Sequence, residues 1–430
     1  MKSGLLIIIF LGLILTSCTT KIGWNHIPPA EVLDQLTLED WLADLAVLGN
    51  QLPKRNPHFR HDPAMAQRFL ASLSEAEQIL RGTDPADLTD IAIAAIARSL
   101  AVVGEGHTSL NSSPSTYFPL VVRWLADGLF VAATDQAYND YLGARVLGVY
   151  RATGEFVPLK NLEPILNRVI SVDHPNGYRH GHGGVLTNPH LIRGLGIAGS
   201  QGLEYLLELN QSHQRLTVQE IPGESINLIR VYDHALQKPM VLQSREENWF
   251  RRLNQDPSVI YVHYGHCTTD AFGMFQAMLT DLEQQPTRRL IIDLRYNSGG
   301  NSIPGTWFSR QLANTQLARD PSSILVLVGP GTFSSGMWMA IDLMHRTQAR
   351  FLGQPVAANP DWYGEVGRFE LPRSGLIVGH STKRFNYSRR KNLRLDSENM
   401  IIPDPGFAIM PTFEEYRNGI DPVFDAALSY

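Results

Sequence analysis

The sequence predicts an α/β protein, and two strand–loop–helix units in its C-terminal half are the main evidence. Residues 289–302 and 324–343 each begin with a short apolar run of β type, pass through a turn of Gly and Ser, and continue with a helical pattern. Strand-like runs alternate with helical patterns from residue 258 to residue 350, which predicts parallel strands joined by right-handed crossovers. Turns of this kind place functional groups at strand ends and helix N-termini.

The N-terminal part of the chain predicts helices. Thr37 is followed three residues later by Asp40, the pattern of a helix start, and apolar residues then recur at helical spacing. Two further helical patterns cover residues 63–80 and 86–103. We therefore expect a helical region over residues 31–116, with His107 in a glycine-containing turn just after its last helix.

From Tyr117 onward the pattern changes to short β-rich runs. We predict strands at residues 118–123, 128–133 and 144–150, and then a helix at residues 159–169. Residues 171–200 are rich in Gly, His, Asn and Pro without periodicity, which predicts a long loop. The next two segments predict a helix at 203–209 and a strand at 214–220, which complete a module over residues 117–225. The last predicted domain covers residues 226–430, with strands at 226–231 and 258–264 and a helix at 271–284.

Composition limits the classes of function. The 430 residues are 43% hydrophobic and 18% charged, which is ordinary for a soluble globular protein of two or three domains. The net charge is −5 and no basic run occurs, which argues against a nucleic-acid partner.

The N-terminus has the pattern of a secretory signal. Lys2 precedes an apolar run over residues 5–15 that is too short to span a bilayer, and Leu15-Thr-Ser-Cys18 follows. This end resembles a bacterial lipobox, so we expect residues 1–18 to be a lipoprotein signal peptide, Cys18 to carry lipid, and residues 19–30 to be a tether. Because Thr19 rather than Asp follows the cysteine, we expect an outer-membrane location in a double-membrane bacterium. Only Cys267 would then remain, so the mature chain would have no intrachain disulfide.

The two Gly/Ser turns carry groups suited to acyl transfer. Ser334 lies where a strand-to-helix turn would expose its hydroxyl, and Gly299 and Gly300 could turn backbone N–H groups toward an oxyanion together with Ser335. Simpler interpretations are that Ser334 is an ordinary N-cap, that the glycines only form a tight turn, or that Ser335 is the nucleophile. Thr332 stands where an α/β-hydrolase elbow has its first glycine, and no Gly-Lys-Ser/Thr of a phosphate-binding loop follows.

A general base is available upstream. His107 lies in Gly-Glu-Gly-His-Thr, residues 104–108, and a neutral imidazole could take the Ser334 proton and return it to the leaving amine.

These segments, taken in order, resemble a known family. Asp-Leu-Arg-Tyr-Asn-Ser-Gly-Gly, residues 293–300, is similar to the signature of the tail-specific (C-terminal processing) and tricorn-type serine peptidases. Thr-Phe-Ser-Ser, residues 332–335, resembles their nucleophile turn, and residues 104–108 resemble the base segment of the tricorn-like branch. The resemblance implies a ClpP/crotonase-like α/β core, a PDZ-like module at residues 117–225, and a serine peptidase that acts on a peptide or unfolded protein without a cofactor. Glu365, in a further family-like segment, is the expected acid that orients the base or supports the site.

Two positions depart from the family pattern. Asn359 stands where relatives with a Ser/Lys dyad carry lysine, and no lysine occurs between Ser334 and Lys383, so a His-based mechanism is favoured. Met337 stands where many relatives have an acidic residue. These departures leave open an inactive, peptide- or protein-binding lipoprotein as the alternative function.

Metal and thiol chemistry are weaker alternatives. No firm zinc-ligand pattern connects the candidate ligands, so we expect no metal; they are His180, His182, His190, His263, His266 and Cys267. Cys267 and His266 would face opposite sides of a strand, which argues against a Cys–His pair.

Overall fold

The computed structural model describes residues 30–111, 113–235 and 238–430. The predicted signal peptide and the predicted lipidation site, Cys18, lie outside the described residues. In the described part of the chain, no helix is long and apolar enough to cross a membrane. The helices are α1 (Ala30–Leu33), α2 (Leu38–Arg55), α3 (His58–His61), α4 (Pro63–Arg81), α5 (Leu88–Ala101), α6 (Leu159–Asn167), α7 (Tyr178–Thr187), α8 (Pro189–Gly194), α9 (Ala271–Gln284), α10 (Ser302–Leu312), α11 (Ser335–Arg346), α12 (Phe413–Arg417) and α13 (Pro422–Ser429).

The strands form several sheets. They are β1 (Ser109–Asn111), β2 (Thr116–Tyr117), β3 (Leu120–Leu125), β4 (Gly128–Asp135), β5 (Arg145–Tyr150), β6 (Phe156–Pro158), β7 (Leu203–Leu209), β8 (Ser212–Val218), β9 (Ile221–Pro222), β10 (Leu228–Arg230), β11 (Asn248–Leu253), β12 (Asp256–Tyr264), β13 (Arg289–Asp293), β14 (Ile324–Val328), β15 (Arg350–Gly353), β16 (Tyr363–Glu370) and β17 (Ile377–Arg384). The chain is thus a mixed α/β protein, and the predicted class is confirmed at that level.

The chain divides into two compact units, each built from separate stretches of sequence. Of the residues that the structure describes, the first contains those within 30–172, 178–233 and 363–384, and the second contains those within 173–177, 234–362 and 385–430. The predicted domain boundaries at residues 116 and 225 stay predictions.

The first unit contains the N-terminal helices and two main sheets. Thr37 and Asp40 form the predicted capping box of α2, whose buried face is Trp41, Leu45, Leu48 and Leu52. One sheet has the order β10-β4-β5-β7-β8, with β3 beside β4 and β6 beside β5. The other has the order β1-β17-β16, and its side chains Phe369 and Val378 pack into the same core as the N-terminal helices.

The second unit is built on one five-stranded sheet. Its order is β11-β12-β13-β14-β15; β12 to β15 are parallel, as predicted, and β11 is antiparallel. Every residue of β13 and β14 is buried. One face packs against α9, α10 and α11, and the other packs against α13. Both faces are covered, so β14 and the centre of β13, residues 290–292, are continuous apolar runs, as parallel strands usually are.

Two secondary-structure predictions in the first unit are wrong. Residues 203–209 form the strand β7 rather than a helix, because Leu203, Tyr205 and Leu207 alternate into the core with period two. Residues 171–200 contain helices α7 and α8 rather than only a long loop. Tertiary packing overrides their poor helix propensity. A Cβ at Gly194 would lie 2.2 Å from the Asp90 carbonyl oxygen, so the glycine permits close packing of α8 on α5.

Candidate active site

Ser334 lies in a strained turn between β14 and α11. Its φ is 51° and its ψ is −122°, a backbone conformation that non-glycine residues rarely adopt. Although Ser334 occupies the N-cap position of α11, its side chain makes no capping hydrogen bond to the helix. The simpler interpretation as an ordinary N-cap therefore lacks its defining contact. Strain of this kind is found at nucleophile turns, where it presents the hydroxyl at the mouth of the helix.

The paired glycines lie directly against this turn. Gly299 has φ 109° and Gly300 has φ 129°, which favour glycine. A Cβ at Gly299 would lie only 2.7 Å from the Ser334 Cβ and 3.0 Å from the Ser335 nitrogen. The two turns that the sequence singled out, 34 residues apart, are therefore in contact.

The backbone N–H groups of these turns differ in their partners. The Gly299 N–H donates to Asn297 Oδ1 at 2.9 Å, so it is already engaged. In the described part of the chain, the N–H groups of Gly300 and Ser335 donate to no protein acceptor. The Ser335 hydroxyl donates to the Gly300 carbonyl at 2.6 Å, which favours Ser334 over Ser335 as the nucleophile. Of the three predicted oxyanion donors, the N–H groups of Gly300 and Ser335 therefore remain candidates, and the oxyanion hole itself stays a prediction.

Buried polar side chains tie the two turns together. Asn297 is fully buried, and its side-chain Nδ2 donates to the Tyr264 carbonyl at 2.7 Å. The backbone carbonyl of Asn297 accepts from the Phe333 N–H at 2.9 Å. The Thr332 hydroxyl donates to the Leu294 carbonyl at 2.8 Å. Two of these bonds, from Phe333 and Thr332, connect the nucleophile turn to the loop after β13. They hold the residues just before Ser334 in place.

The acidic residue of the signature has a structural role. Asp293 is fully buried and accepts hydrogen bonds from Tyr261 at 2.7 Å and from Arg295 at 2.6 Å. Arg295 also makes a bidentate pair with Asp421, the N-cap of α13, at 2.7 and 2.6 Å. Burial alone would raise the pKa of Asp293, but the Arg295 guanidinium and these hydrogen bonds hold the pKa below its usual value. The predicted loop-holding role of Asp293 agrees with these contacts.

His107 lies in the first unit, in the turn between α5 and β1. It is 2% exposed, and burial lowers the pKa of its imidazole to about 4. A hydrogen bond to the backbone of Tyr363, at the start of β16, acts in the opposite direction. A hydrogen-bond acceptor stabilises the protonated imidazole and a donor does not, so this backbone partner is the Tyr363 carbonyl. The imidazole is therefore neutral at pH 7, which is the protonation state that a general base requires.

Glu105, two residues before His107, is a buried carboxyl that sequence reasoning did not single out. It accepts hydrogen bonds from Asn56 Nδ2 at 2.8 Å, from Ser381 Oγ at 2.5 Å and from the Thr108 hydroxyl. Burial raises the pKa of Glu105, and these three bonds oppose the change. Its one sequence signal was its place in residues 104–108; Ser381 lies 276 residues later.

Glu365 lies on β16 in the same unit as His107, but it faces solvent. Its side chain is 43% exposed and forms a 2.7 Å ion pair with Lys383. Its φ is 56°, and its carbonyl accepts from the Thr382 hydroxyl at 2.5 Å. Its assignment as the orienting acid stays a prediction, and so does the pairing of His107 with Ser334, because the two residues belong to different units.

The two positions that depart from the family pattern have structural contacts. The Asn359 side chain donates to the Glu398 carbonyl at 3.2 Å and accepts from the Asp361 N–H at 2.9 Å. Met337 lies on α11 and is fully buried in the core.

The candidate metal ligands have protein partners or are dispersed. His182 accepts from Trp124 Nε1 at 3.0 Å, and His190 lies 2.6 Å from Asp90. Burial raises the pKa of the Cys267 thiol to about 12, so the thiol is not a nucleophile at neutral pH. Among residues 30–111, 113–235 and 238–430, no group of three or more His, Cys, Asp or Glu side chains could hold a metal ion.

The fold of this chain is similar to that of a protein of known structure. Among solved structures, mature CPAF in a complex with lactacystin is 12% identical to this chain, with a TM-score of 0.59, over 91% of this chain and 98% of CPAF. The photosystem II D1 C-terminal processing protease is 14% identical over 90% of this chain and 99% of that protein, with a TM-score of 0.38. Tricorn protease is 12% identical over 91% of this chain and 36% of that protein, with a TM-score of 0.40.

The similarity to CPAF establishes the fold. It covers nearly the whole length of both chains, so this chain has the fold of CPAF, and the predicted resemblance is confirmed at the level of the fold. No family model matches the sequence, and no curated protein matches it closely enough to be compared.

Proposed function

We propose that this protein is a serine peptidase that hydrolyses peptide bonds through Ser334. The observation that carries the proposal is the Ser334 turn itself: a strained serine in contact with a Gly-Gly turn, beside two N–H groups that have no acceptor among the described residues. Such donors stabilise the oxyanion of a tetrahedral intermediate. The fold of CPAF supports the proposal, and one CPAF structure is of a variant in which a serine is replaced by alanine.

The proposed reaction uses His107 as the base. The Ser334 Oγ attacks the scissile carbonyl carbon while the imidazole takes the hydroxyl proton, and the N–H groups of Gly300 and Ser335 hold the resulting oxyanion. The intermediate then collapses, and His107 returns the proton to the leaving amine. Water, activated in the same way, hydrolyses the acyl-enzyme. No cofactor is required.

The Lys-dyad mechanism has less support. Asn359 occupies the lysine position of the family pattern, and Lys383 is paired with Glu365 on the surface of the other unit. We therefore favour histidine as the base.

We further propose the setting in which the peptidase acts. Leu15-Thr-Ser-Cys18 supports lipid attachment at Cys18 and a place in the cell envelope, on the outer membrane if the bacterium has two membranes. Several acyl chains on one cysteine would give stable anchoring. We also infer that the second unit's parallel sheet is a ClpP/crotonase-like core, that residues 117–225 are a PDZ-like module, and that the substrate is a peptide or an unfolded protein.

A fluorophosphonate probe tests the central claim. The parent protein should react covalently at Ser334, Ser334→Ala should not react, and Ser335→Ala should still react. Lactacystin, which one CPAF structure contains, is a second probe. His107→Ala should lose roughly 10⁴–10⁶-fold in peptide turnover, nearly as much as Ser334→Ala, and the double variant should be little worse.

Two outcomes contradict the proposal. A folded parent protein that neither probe labels favours the alternative, an inactive peptidase fold that binds peptides. A folded His107→Ala variant with near-parental turnover removes histidine from the mechanism. Circular dichroism establishes the folding of each variant.

A further inference from the structure

Glu105 connects the turn that carries His107, residues 104–108, to three separate parts of the first unit. Through its carboxylate it is bonded to Asn56, the C-cap residue of α2, at 2.8 Å and to Ser381 of β17 at 2.5 Å. Through its backbone carbonyl it accepts from the Ser171 hydroxyl at 2.8 Å and from the Thr108 N–H at 3.1 Å. With 1% of its surface exposed, it is a buried hub at the base of the turn that carries His107.

The strand pair that contacts Glu105 also contacts His107. The acceptor of the imidazole is the Tyr363 carbonyl on β16, and the hydroxyl donor to Glu105 is Ser381 on the neighbouring β17. These strands are antiparallel, with Tyr363 opposite Arg384 and Val366 opposite Ser381. The turn is therefore bonded to one two-stranded ladder at two points, one through each strand.

We propose that Glu105 is the positioning residue for His107. Its carboxylate fixes the turn against the β16–β17 ladder, so that the imidazole keeps its hydrogen bond to the Tyr363 carbonyl and its second ring nitrogen keeps a constant direction. The inference rests on the proposed function for its catalytic meaning. It gives Glu105 a role that the sequence assigned to Glu365, whose carboxylate is exposed and paired with Lys383.

The expected effect follows from how much geometry controls catalysis. Removal of the carboxylate leaves the Ser381 and Thr108 hydroxyls without their acceptor in a buried site. The Asn56 amide keeps only its bond to the Thr108 hydroxyl oxygen, at 3.0 Å, so the turn must shift to find new partners. A displacement of about 1 Å in a catalytic group costs on the order of 10²-fold in rate. Glu105→Ala should therefore lower kcat on the order of 10²-fold with little change in KM. Glu105→Gln keeps the shape and one acceptor oxygen, and should recover part of that loss.

The experiment combines kinetics with a direct observation of the imidazole. The full-length chain is labelled with ¹⁵N-histidine, and His107→Gln identifies the His107 ring signals by their disappearance. In the parent, the ring N–H bonded to the Tyr363 carbonyl should give one slowly exchanging signal. In Glu105→Ala this signal should shift and exchange faster, and in Ser381→Ala it should change in the same direction by less. Glu77→Gln, on the exposed pair with Arg81 of α4, is the matched control and should match the parent.

The outcomes separate positioning from a purely structural role. An unchanged His107 signal in folded Glu105→Ala, or a kcat equal to that of the parent, overturns the proposal. If Glu105→Ala does not fold, Glu105→Gln and Ser381→Ala decide the question: parental His107 signals in both overturn it. The ring signals report on His107 whether or not the protein cleaves peptides. A parent that no fluorophosphonate labels therefore contradicts the proposed function and leaves the positioning test intact.

Discussion

Replacement of Gly299 by alanine tests whether the Gly-Gly turn holds the nucleophile in place. The added methyl carbon would lie 2.7 Å from the Ser334 Cβ and 3.0 Å from the Ser335 nitrogen. Optimal separation between carbon atoms is about 3.5–4.0 Å, so Ser334 must move by about 1 Å or the glycine turn must. The substituted residue must also keep the φ of 109° that glycine has here.

Two costs are expected, and they are separable. The positive φ should destabilise the fold by about 1–2 kcal/mol, because a Cβ meets its own backbone in that region. The displacement of Ser334 should cost on the order of 10²-fold in the rate of acylation. Gly406 provides a matched control: its φ is 86°, it lies in the same unit, and a Cβ there would have no atom within 4 Å. Gly406→Ala should therefore show the first cost and not the second.

The assay is the second-order rate constant for fluorophosphonate labelling, measured beside thermal unfolding of both variants. We expect both to unfold at a lower temperature than the parent, and only Gly299→Ala to label on the order of 10²-fold more slowly. If Gly299→Ala labels as fast as Gly406→Ala, contact with the glycine turn is not what positions Ser334.

Three further outcomes are expected. Burial lowers the pKa of His107 to about 4, and its neutral form is the proposed base. We therefore expect kcat/KM to stay level from pH 7 to about 5 and to fall only as the pH approaches 4; a fall centred near 6.5 contradicts this. Arg295→Met should lower the free energy of unfolding by about 3–5 kcal/mol in a denaturant titration, because it leaves the buried Asp293 carboxylate without its cation; a change below 1 kcal/mol contradicts this. Burial raises the pKa of the Cys267 thiol to about 12, so this thiol should react with iodoacetamide at pH 8 only after unfolding. Mass spectrometry of a folded Cys18→Ala variant, in which Cys267 is the one cysteine, checks this.

The secondary structure was predictable where pattern and packing agree. Helices α2, α4, α5 and α9 follow their periodic apolar residues, and α2 also begins at its predicted cap. The buried strands β13 and β14 are short, mainly apolar runs between turns. Strand β7 was missed because its Leu and Glu content favours a helix. Its alternate residues are buried in the core, and this burial stabilises the strand. Helix α7, with the sequence Tyr-Arg-His-Gly-His-Gly-Gly-Val-Leu-Thr, has poor propensity and is held by Val185 and Leu186 in the core, which no local pattern reveals.

The part of the candidate site that lies in short turns was predictable, because local sequence signals mark those turns. Ser334 and the paired glycines lie in short turns with local signals, and the structure brings those turns together. The surroundings of His107 depend on contacts that are remote in sequence: Tyr363 and Ser381 lie more than 250 residues after it. A single sequence carries no signal for such pairs, so Glu105 could not be recognised as a buried hub, and Glu365 could not be recognised as an exposed ion-pair partner.

Because the first unit is built from separate stretches of sequence, its parts are synthesised at different times. A ribosome makes Ser334 and its glycine turn before it makes residues 363–384, which supply the acceptor of His107 and the Ser381 hydroxyl. Until residues 363–384 have been synthesised, the turn that carries His107 lacks its contacts with β16 and β17. A nascent chain, or a fragment that ends before residue 363, therefore carries the proposed nucleophile, Ser334, without the contacts that support the proposed base. The proposed peptidase activity would thus require residues 363–384.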